Sequence, residues 1–233
     1  MSTGDVAPKP DPEPRADAAP PAVRLDRIQR RWGREQVLRG VSLQVAAGRI
    51  VALRGRNGSG KTTLLRLLAT RLRPRAGRAA VFGHDLVKDA AAVRRHVAYL
   101  SVQGGSYGTL TARENLRLAC TLSGTRPDGV DDALVRVGLR PHAERRVRVF
   151  SSGMKRRLGL ARLLLLDADL WLLDEPYASL DDDGRTLVDG LLDRARERGR
   201  TVLIASHEPD RLADRIDATI TIDQGRLVAG DAP

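Results

Sequence analysis

The stretch Gly55-Arg-Asn-Gly-Ser-Gly-Lys-Thr62 reads G-x-x-x-x-G-K-T, and the residues on either side of it decide the fold. Arg49-Ile-Val-Ala-Leu-Arg54 precedes it, short and apolar like a buried strand. Leu64-Leu65-Arg66-Leu67-Leu68 follows, built from good helix formers. Strand, glycine-rich turn and helix in that order form the setting in which this motif cradles phosphate. Backbone N–H groups around Gly58, Ser59 and Gly60 can converge on an anionic oxygen, and the helix adds its positive N-terminal end. Glycine lets the backbone approach a phosphate with no Cβ in the way. Gly55 and Asn57 complete the turn. Lys61 supplies a mobile cation for terminal phosphates, and Thr62, followed by Thr63, offers a hard oxygen for Mg²⁺. With 22 glycines in 233 residues, chance would produce the pattern in about three sequences per thousand of this composition.

Outward from the motif, the chain reads as one large α/β domain with a tail. Residues 1–22 hold six of the 12 prolines, mixed with alanine and charge, so they are expected to be disordered. Residues 23–230 form the folded domain. Loose alternation from Val23 to Val45 predicts antiparallel strands ahead of the motif. Trp32 lies between them, beside Gly33. It can pack in the core or stack on a base, and position alone favours the core. Ala79–Phe82 predicts a short strand, Ala90–His96 a helix, and Val97–Val102 another buried strand that leaves through Gln103-Gly-Gly105. Doubly wound sheets place ligands at such carboxyl ends.

The pattern then turns helical over roughly residues 104–166. Thr111-Ala-Arg-Glu114 is a capping box that opens a helix through Leu122. Asp128–Leu139 predicts a second helix. A third starts after Ser151-Ser152-Gly153, a turn that serves either as a cap or as a second anion site. The apolar run Leu170-Trp-Leu-Leu-Asp-Glu175 then delivers two carboxylates at a strand end. Asp174 suits Mg²⁺, and Glu175 suits orienting or deprotonating an attacking water. Asp181-Asp-Asp183 offers a metal cluster or, the better fit, acids at the start of a helix through Arg198. Thr201–Ser206 predicts a buried strand ending at His207, which there can hydrogen-bond a γ-phosphate. A helix over Pro209–Ile216 and a hairpin about Asp223-Gln-Gly225 close the domain.

Composition narrows the classes of partner. Forty basic against 29 acidic residues give a net charge of +11, yet aromatic residues are only 3% and no long basic run occurs. Specific nucleic-acid binding is therefore not expected, and acidic lipid head groups or an acidic partner fit the charge at least as well. Cys120 is the single cysteine, which excludes a disulfide framework and allows a cytoplasmic location. Leu158–Leu173, the longest apolar candidate, is broken by Arg162, Asp167 and Asp169, and no signal-peptide pattern opens the chain.

The ordered set of glycine-rich motif, Gln103, Ser151-Ser152-Gly153, Asp174-Glu175 and His207 resembles the ATP-binding subunits of ABC transporters, over about Val23–Gly230. The resemblance implies an α/β fold of P-loop NTPase type: a RecA-like core with an antiparallel β subdomain and an inserted α-helical subdomain. It implies ATP and Mg²⁺ as cofactors, with Trp32 stacking on adenine, against the reading from position alone. Gln103 matches the glutamine that couples Mg²⁺ and nucleotide to the membrane partner. Phe150-Ser-Ser-Gly-Met154 stands where the family usually has Leu-Ser-Gly-Gly-Gln. It keeps Ser151 and Gly153, the pair that reaches the γ-phosphate held by another subunit, and Arg156 and Arg157 continue the usual basic follow-on. Ala178-Ser-Leu-Asp181 resembles the D-loop, and His207 the switch histidine. The implied activity is ATP hydrolysis with Lys61, Glu175 and His207 in the chemistry, Thr62, Gln103 and Asp174 at the metal, and the remaining motif residues on the nucleotide. The implied partners are a separate transmembrane permease and a second ATPase chain, as homodimer or heterodimer, peripheral on the inner face of the cell membrane. Ser-Ser-Gly-Met-Lys-Arg-Arg-Leu158 is similar to haem-exporter-type subunits of cytochrome c maturation, with drug and lipid exporters as competitors. A soluble ABC ATPase acting on ribosomes or nucleic acid is the alternative from another class.

Overall fold

The structure is a computed structural model that describes residues 20–101 and 105–228. Residues 1–19 of the expected 1–22 tail, and Gln103, lie outside the described residues. Two sheets organise the chain. The first is four-stranded and antiparallel, in the order β2-β1-β4-β5, from Val23–Trp32 (β1), Glu35–Val45 (β2), Ala76–Val81 (β4) and His84–Asp85 (β5). The second is six-stranded, in the order β10-β9-β3-β8-β7-β6. Ile50–Arg54 (β3), Val97–Leu100 (β6), Leu170–Asp174 (β7), Thr201–Ala205 (β8) and Ala218–Asp223 (β9) run parallel, and Arg226–Leu227 (β10) turns back antiparallel on β9.

The parallel strands are apolar on both faces because both faces are covered. All five residues of β7 and of β8 are buried. Alternation along them sends Trp171, Leu173, Val202 and Ile204 into one core and Leu170, Leu172 and Leu203 into the other. The first core carries helices Ala112–Ser123 (α3), Val130–Arg136 (α4), Ser152–Leu166 (α5) and Asp182–Glu197 (α6). The second carries Lys61–Leu68 (α1) and the buried face of the antiparallel sheet, through Val23, Leu25, Leu43 and Val81. Full burial of each such leucine contributes about 1.5–3 kcal/mol, so the two cores fix the sheet between them.

Local signals set the helix ends. Thr111 Oγ1 accepts from the Glu114 N–H at 3.1 Å while Glu114 Oε2 accepts from the Thr111 N–H at 2.8 Å, completing the capping box. Gly124, at φ 74°, closes α3 in the left-handed region that favours glycine. Ser151 caps α5, and Asp181 caps α6 by accepting from Gly184 N–H at 3.0 Å. The helix expected over Asp128–Leu139 is shorter: a 3₁₀ turn over Pro127–Gly129 leads into α4, which stops before Gly138 at φ 70°. Ala90–His96 (α2) matches its expected span, while Pro209–Leu212 (α7) gives way to a 3₁₀ turn at Ala213–Arg215. No helix among the described residues is long and apolar enough to cross a membrane.

Candidate active site

The glycine-rich loop leaves the carboxyl end of β3, Asp174-Glu175 leaves β7, and Ser206-His207 leaves β8. These neighbouring parallel strands therefore deliver all three segments to one edge of the sheet. The loop needs its glycines for separate reasons. A Cβ on Gly55, at φ 144°, would lie 2.1 Å from the Ile222 carbonyl oxygen of β9. One on Gly60, at φ 115°, would lie 2.9 Å from Leu38 Cδ2. Gly58, at φ 79°, faces open space, with nothing within 4 Å. The loop is pinned to the β9–β10 turn, where Gly225 N–H donates to the Ser59 carbonyl at 3.0 Å.

Lys61 is 8% exposed, and its ammonium donates to the carbonyls of Gly55 at 2.6 Å and Arg56 at 3.2 Å. The cation thus lies within the concavity of its own loop, on acceptors it can exchange for phosphate oxygen. Thr62 Oγ1 donates to Asp174 Oδ1 at 2.9 Å, and Tyr99 Oη donates to Asp174 Oδ2 at 3.2 Å. Burial, reinforced by Asp174, pushes the Tyr99 phenol up to about 12, so it remains a donor. Tyr99 has no role in the sequence reading; its only signal is a hydroxyl in an otherwise apolar strand beside the acid-bearing one.

Glu175 adopts φ 51°, a left-handed conformation rare for a residue with a side chain. Its N–H donates to the Ala205 carbonyl at 2.8 Å, and its Oε2 accepts from the His207 N–H at 3.2 Å. His207 Nε2 stands 3.3 Å from Oε1. Burial raises the Glu175 carboxyl above its ordinary value and His207 opposes that rise, an environment suited to a proton acceptor.

A cavity of about 350 Å³ gathers Trp32, Glu35, Val37, Asn57 to Thr63, Glu175 and His207. Trp32 is 46% exposed, with the Arg30 guanidinium 5.1 Å over its ring. The expectation that position places this tryptophan in the core is thus corrected: the register pairs Trp32 with Glu35 at the hairpin end, beyond the buried part of β1. A larger groove of about 440 Å³ beside Tyr99, Leu116 and Arg162 contains none of the glycine-rich loop.

Ser151, Ser152 and Gly153 are not among the residues lining the nucleotide-sized cavity. Ser151 and Ser152 are exposed, and the Ser151 hydroxyl accepts from the Met154 N–H at 3.2 Å. A Cβ on Gly153 would lie 2.9 Å from the Ser179 carbonyl, so this turn packs closely on the segment following β7. Asp181 to Asp183 open α6 as expected, and no cluster of three or more metal-binding side chains occurs among the described residues. Asp174 and Thr62 nevertheless fit Mg²⁺ by their own chemistry: two hard oxygens in mutual contact beside an anion-binding helix start.

Comparison with known proteins gives the family. The family described as ABC transporter matches residues 38–178. The chain is 39% identical to a daunorubicin resistance ATP-binding protein of Streptomyces coeruleorubidus over 89% of its length and 67% of that protein's. It is 41% identical to a cytochrome c biogenesis ATP-binding export protein of Bordetella bronchiseptica, over 82% of this chain and 85% of that one. Among solved structures, an ATP-binding subunit of an ABC transporter superposes with a TM-score of 0.83 at 25% identity, covering 89% of this chain and 88% of that one. The chain therefore belongs to the ABC transporter family, as an ATP-binding subunit with ATPase activity.

Proposed function

We propose that the chain powers export of a haem-type cargo through a separate membrane permease, as one half of a two-chain ATPase on the inner face of the membrane. The observation that carries the two-chain reading is the separation of Ser151 and Gly153 from the cavity that collects Trp32, the glycine-rich loop, Glu175 and His207. An exposed helix-start turn with a hydroxyl, outside the cavity of its own chain, suits a site on another molecule. A second copy, or a homologous chain, would bring its own turn over this cavity. The export reading is supported by the cytochrome c biogenesis relative named above.

In the reaction, the loop amides and Lys61 bind the phosphates and stabilise charge as the γ-phosphorus separates from its bridging oxygen. Thr62 and Asp174 would hold Mg²⁺, with Gln103, outside the described residues, as the third candidate. The ion supplies charge neutralisation on the phosphate oxygens. Glu175 accepts the proton of the water that becomes bonded to phosphorus, and ADP leaves with the bridging oxygen. His207 holds the Glu175 carboxylate and lines the same cavity as the glycine-rich loop, which supports a contact with the γ-phosphate. ATP shared between two chains favours the closed dimer, and its hydrolysis releases it.

The test is co-expression with a candidate multi-span permease, followed by ATP-dependent haem uptake into inverted vesicles. Uptake that disappears with Glu175→Gln, together with an ATP-stabilised dimer of that variant in gel filtration, is the expected result. A Glu175→Gln protein that remains monomeric in saturating ATP and Mg²⁺ overturns the two-chain reading. Transport of anthracyclines in preference to haem overturns the cargo. Salt-sensitive RNA binding without membrane association overturns the permease partner.

A further inference from the structure

Arg156 lies one turn into α5, five residues after the Ser151 cap, and is only 4% exposed. Packing does not require it: Leu158, Leu160, Ala161 and Leu163 already fasten this helix to the core. Burial pushes its guanidinium below the ordinary value, opposed by the carboxylates of Asp174 and Glu175. A charge kept under such conditions has to be held by well-placed acceptors. Its Nη1 donates to the Ser101 carbonyl at 2.9 Å, just past β6, and reaches the Asp174 carbonyl at 3.5 Å.

The second contact falls, buried, on the residue next to the proposed general base. The peptide joining Asp174 to Glu175 is held on both edges: its N–H by Ala205 on β8, and its C=O by Arg156 on α5. This is the peptide that places Glu175 at φ 51°. A left-handed conformation at a residue with a side chain persists only where its surroundings fix it. We infer that Arg156 is a positioning residue that makes the aim of the Glu175 carboxylate depend on the seating of α5, the helix that begins at Ser151. Engagement of the Ser151 turn by another chain would thereby be transmitted to the general base through one side chain. The inference rests on the proposed role of Glu175.

The experiment is a double-mutant cycle on the purified protein with Arg156→Met, Arg156→Lys and Glu175→Gln, reading steady-state ATPase rate and, separately, the dissociation constant of a fluorescent ATP analogue. Arg156→Met is expected to lower kcat about tenfold to a hundredfold, the effect of a small misplacement of a reacting group. Nucleotide affinity should stay within about threefold, since no residue of the cavity is altered. Arg156→Lys should recover part of the rate, because an ammonium can still reach one carbonyl. In the Glu175→Gln background, Arg156→Met should cost nothing further, as residues acting through one another are non-additive. An undiminished kcat in Arg156→Met overturns the inference, and so does a full additional loss on top of Glu175→Gln. Should Arg156→Met fail to fold, the same two criteria apply to Arg156→Lys. A Glu175→Gln protein that turns over like the parent defeats the general-base reading instead, a result independent of what Arg156 does.

Discussion

Thr62 Oγ1 donates to Asp174 Oδ1 at 2.9 Å, joining the first turn of α1 to the last residue of β7 across 112 positions of sequence. The two oxygens are drawn together from distant parts of the chain by the β3-β8-β7 strand order, and Tyr99 occupies the other oxygen of the same carboxylate. Asp174 is 1% exposed. A buried carboxylate so supported is oriented before any ion arrives.

This arrangement predicts a division between two substitutions. Asp174→Asn removes the charge that attracts the cation and should raise the Mg²⁺ needed for half-maximal ATPase activity about a hundredfold. Tyr99→Phe removes only the supporting donor, and about tenfold is expected. Mg²⁺ titrations at fixed ATP measure both. Equal effects would show that Tyr99 is a ligand in its own right, and no effect in Asp174→Asn would place the metal elsewhere.

The glycine-rich loop predicts unequal consequences for chemically identical changes. Gly55→Ala sets a methyl against the Ile222 carbonyl and the Ser59 hydroxyl in a conformation closed to alanine. It should destabilise the protein by about 3 kcal/mol or more and displace the loop. Gly58→Ala meets only the conformational penalty, about 1–2 kcal/mol, because its Cβ would enter open space. Urea unfolding distinguishes them. Similar losses at both positions would contradict the close approach of loop and β9.

The difference between what sequence reveals and what it hides follows the range of the interaction. The Thr111–Glu114 box and the Asp181 cap each close over three residues, so their residue types carry the whole signal. The carboxylates of Asp174, which ends β7, and Glu175, which follows it, are legible because four apolar residues lead into them. Trp32 is not legible in this way: whether a hairpin tip is covered depends on the register of β1 with β2 and on the position of the loop, which are separate stretches of chain. The contacts of Tyr99 and Arg156 with Asp174 span 75 and 18 residues. They depend on β6 lying beside β7 and on α5 packing over both. No local pattern announces either.

The Asp181 carboxylate predicts a pH dependence of stability. Arg157 Nη2 donates to it at 2.7 Å and Gly184 N–H at 3.0 Å, and together they hold it below its ordinary value of 3.8, Arg157 having the larger effect. The unfolded chain therefore takes up this proton first as pH falls. The contribution is complete above the unfolded value near pH 4 and disappears as pH drops through the depressed folded value. Asp181→Asn retains a capping oxygen but not the charge. Its melting temperature should lie below the parent's at pH 7 and converge with it in acid, by a small margin because the pair is exposed. A constant difference from pH 7 to pH 3 would remove the ion pair from the account.

Trp32 predicts a purely binding phenotype. Arg30 lies over its ring, and the half-exposed side chain lines the cavity, so a base stacking there adds affinity without touching the reacting phosphate. Trp32→Ala should raise KM for ATP about tenfold, the order of one lost base–aromatic contact, and leave kcat within about twofold. Trp32→Phe should restore most of the affinity, because a π-face remains. The fluorescence of the protein gives an independent reading. The other tryptophan, Trp171, is 2% exposed inside the helical-side core and is not part of the cavity lining. A nucleotide-dependent change in emission should therefore be present in the parent and absent in Trp32→Phe. A change that survives the substitution would mean that nucleotide is felt at Trp171 through β7, and the stacking assignment of Trp32 would lose its support.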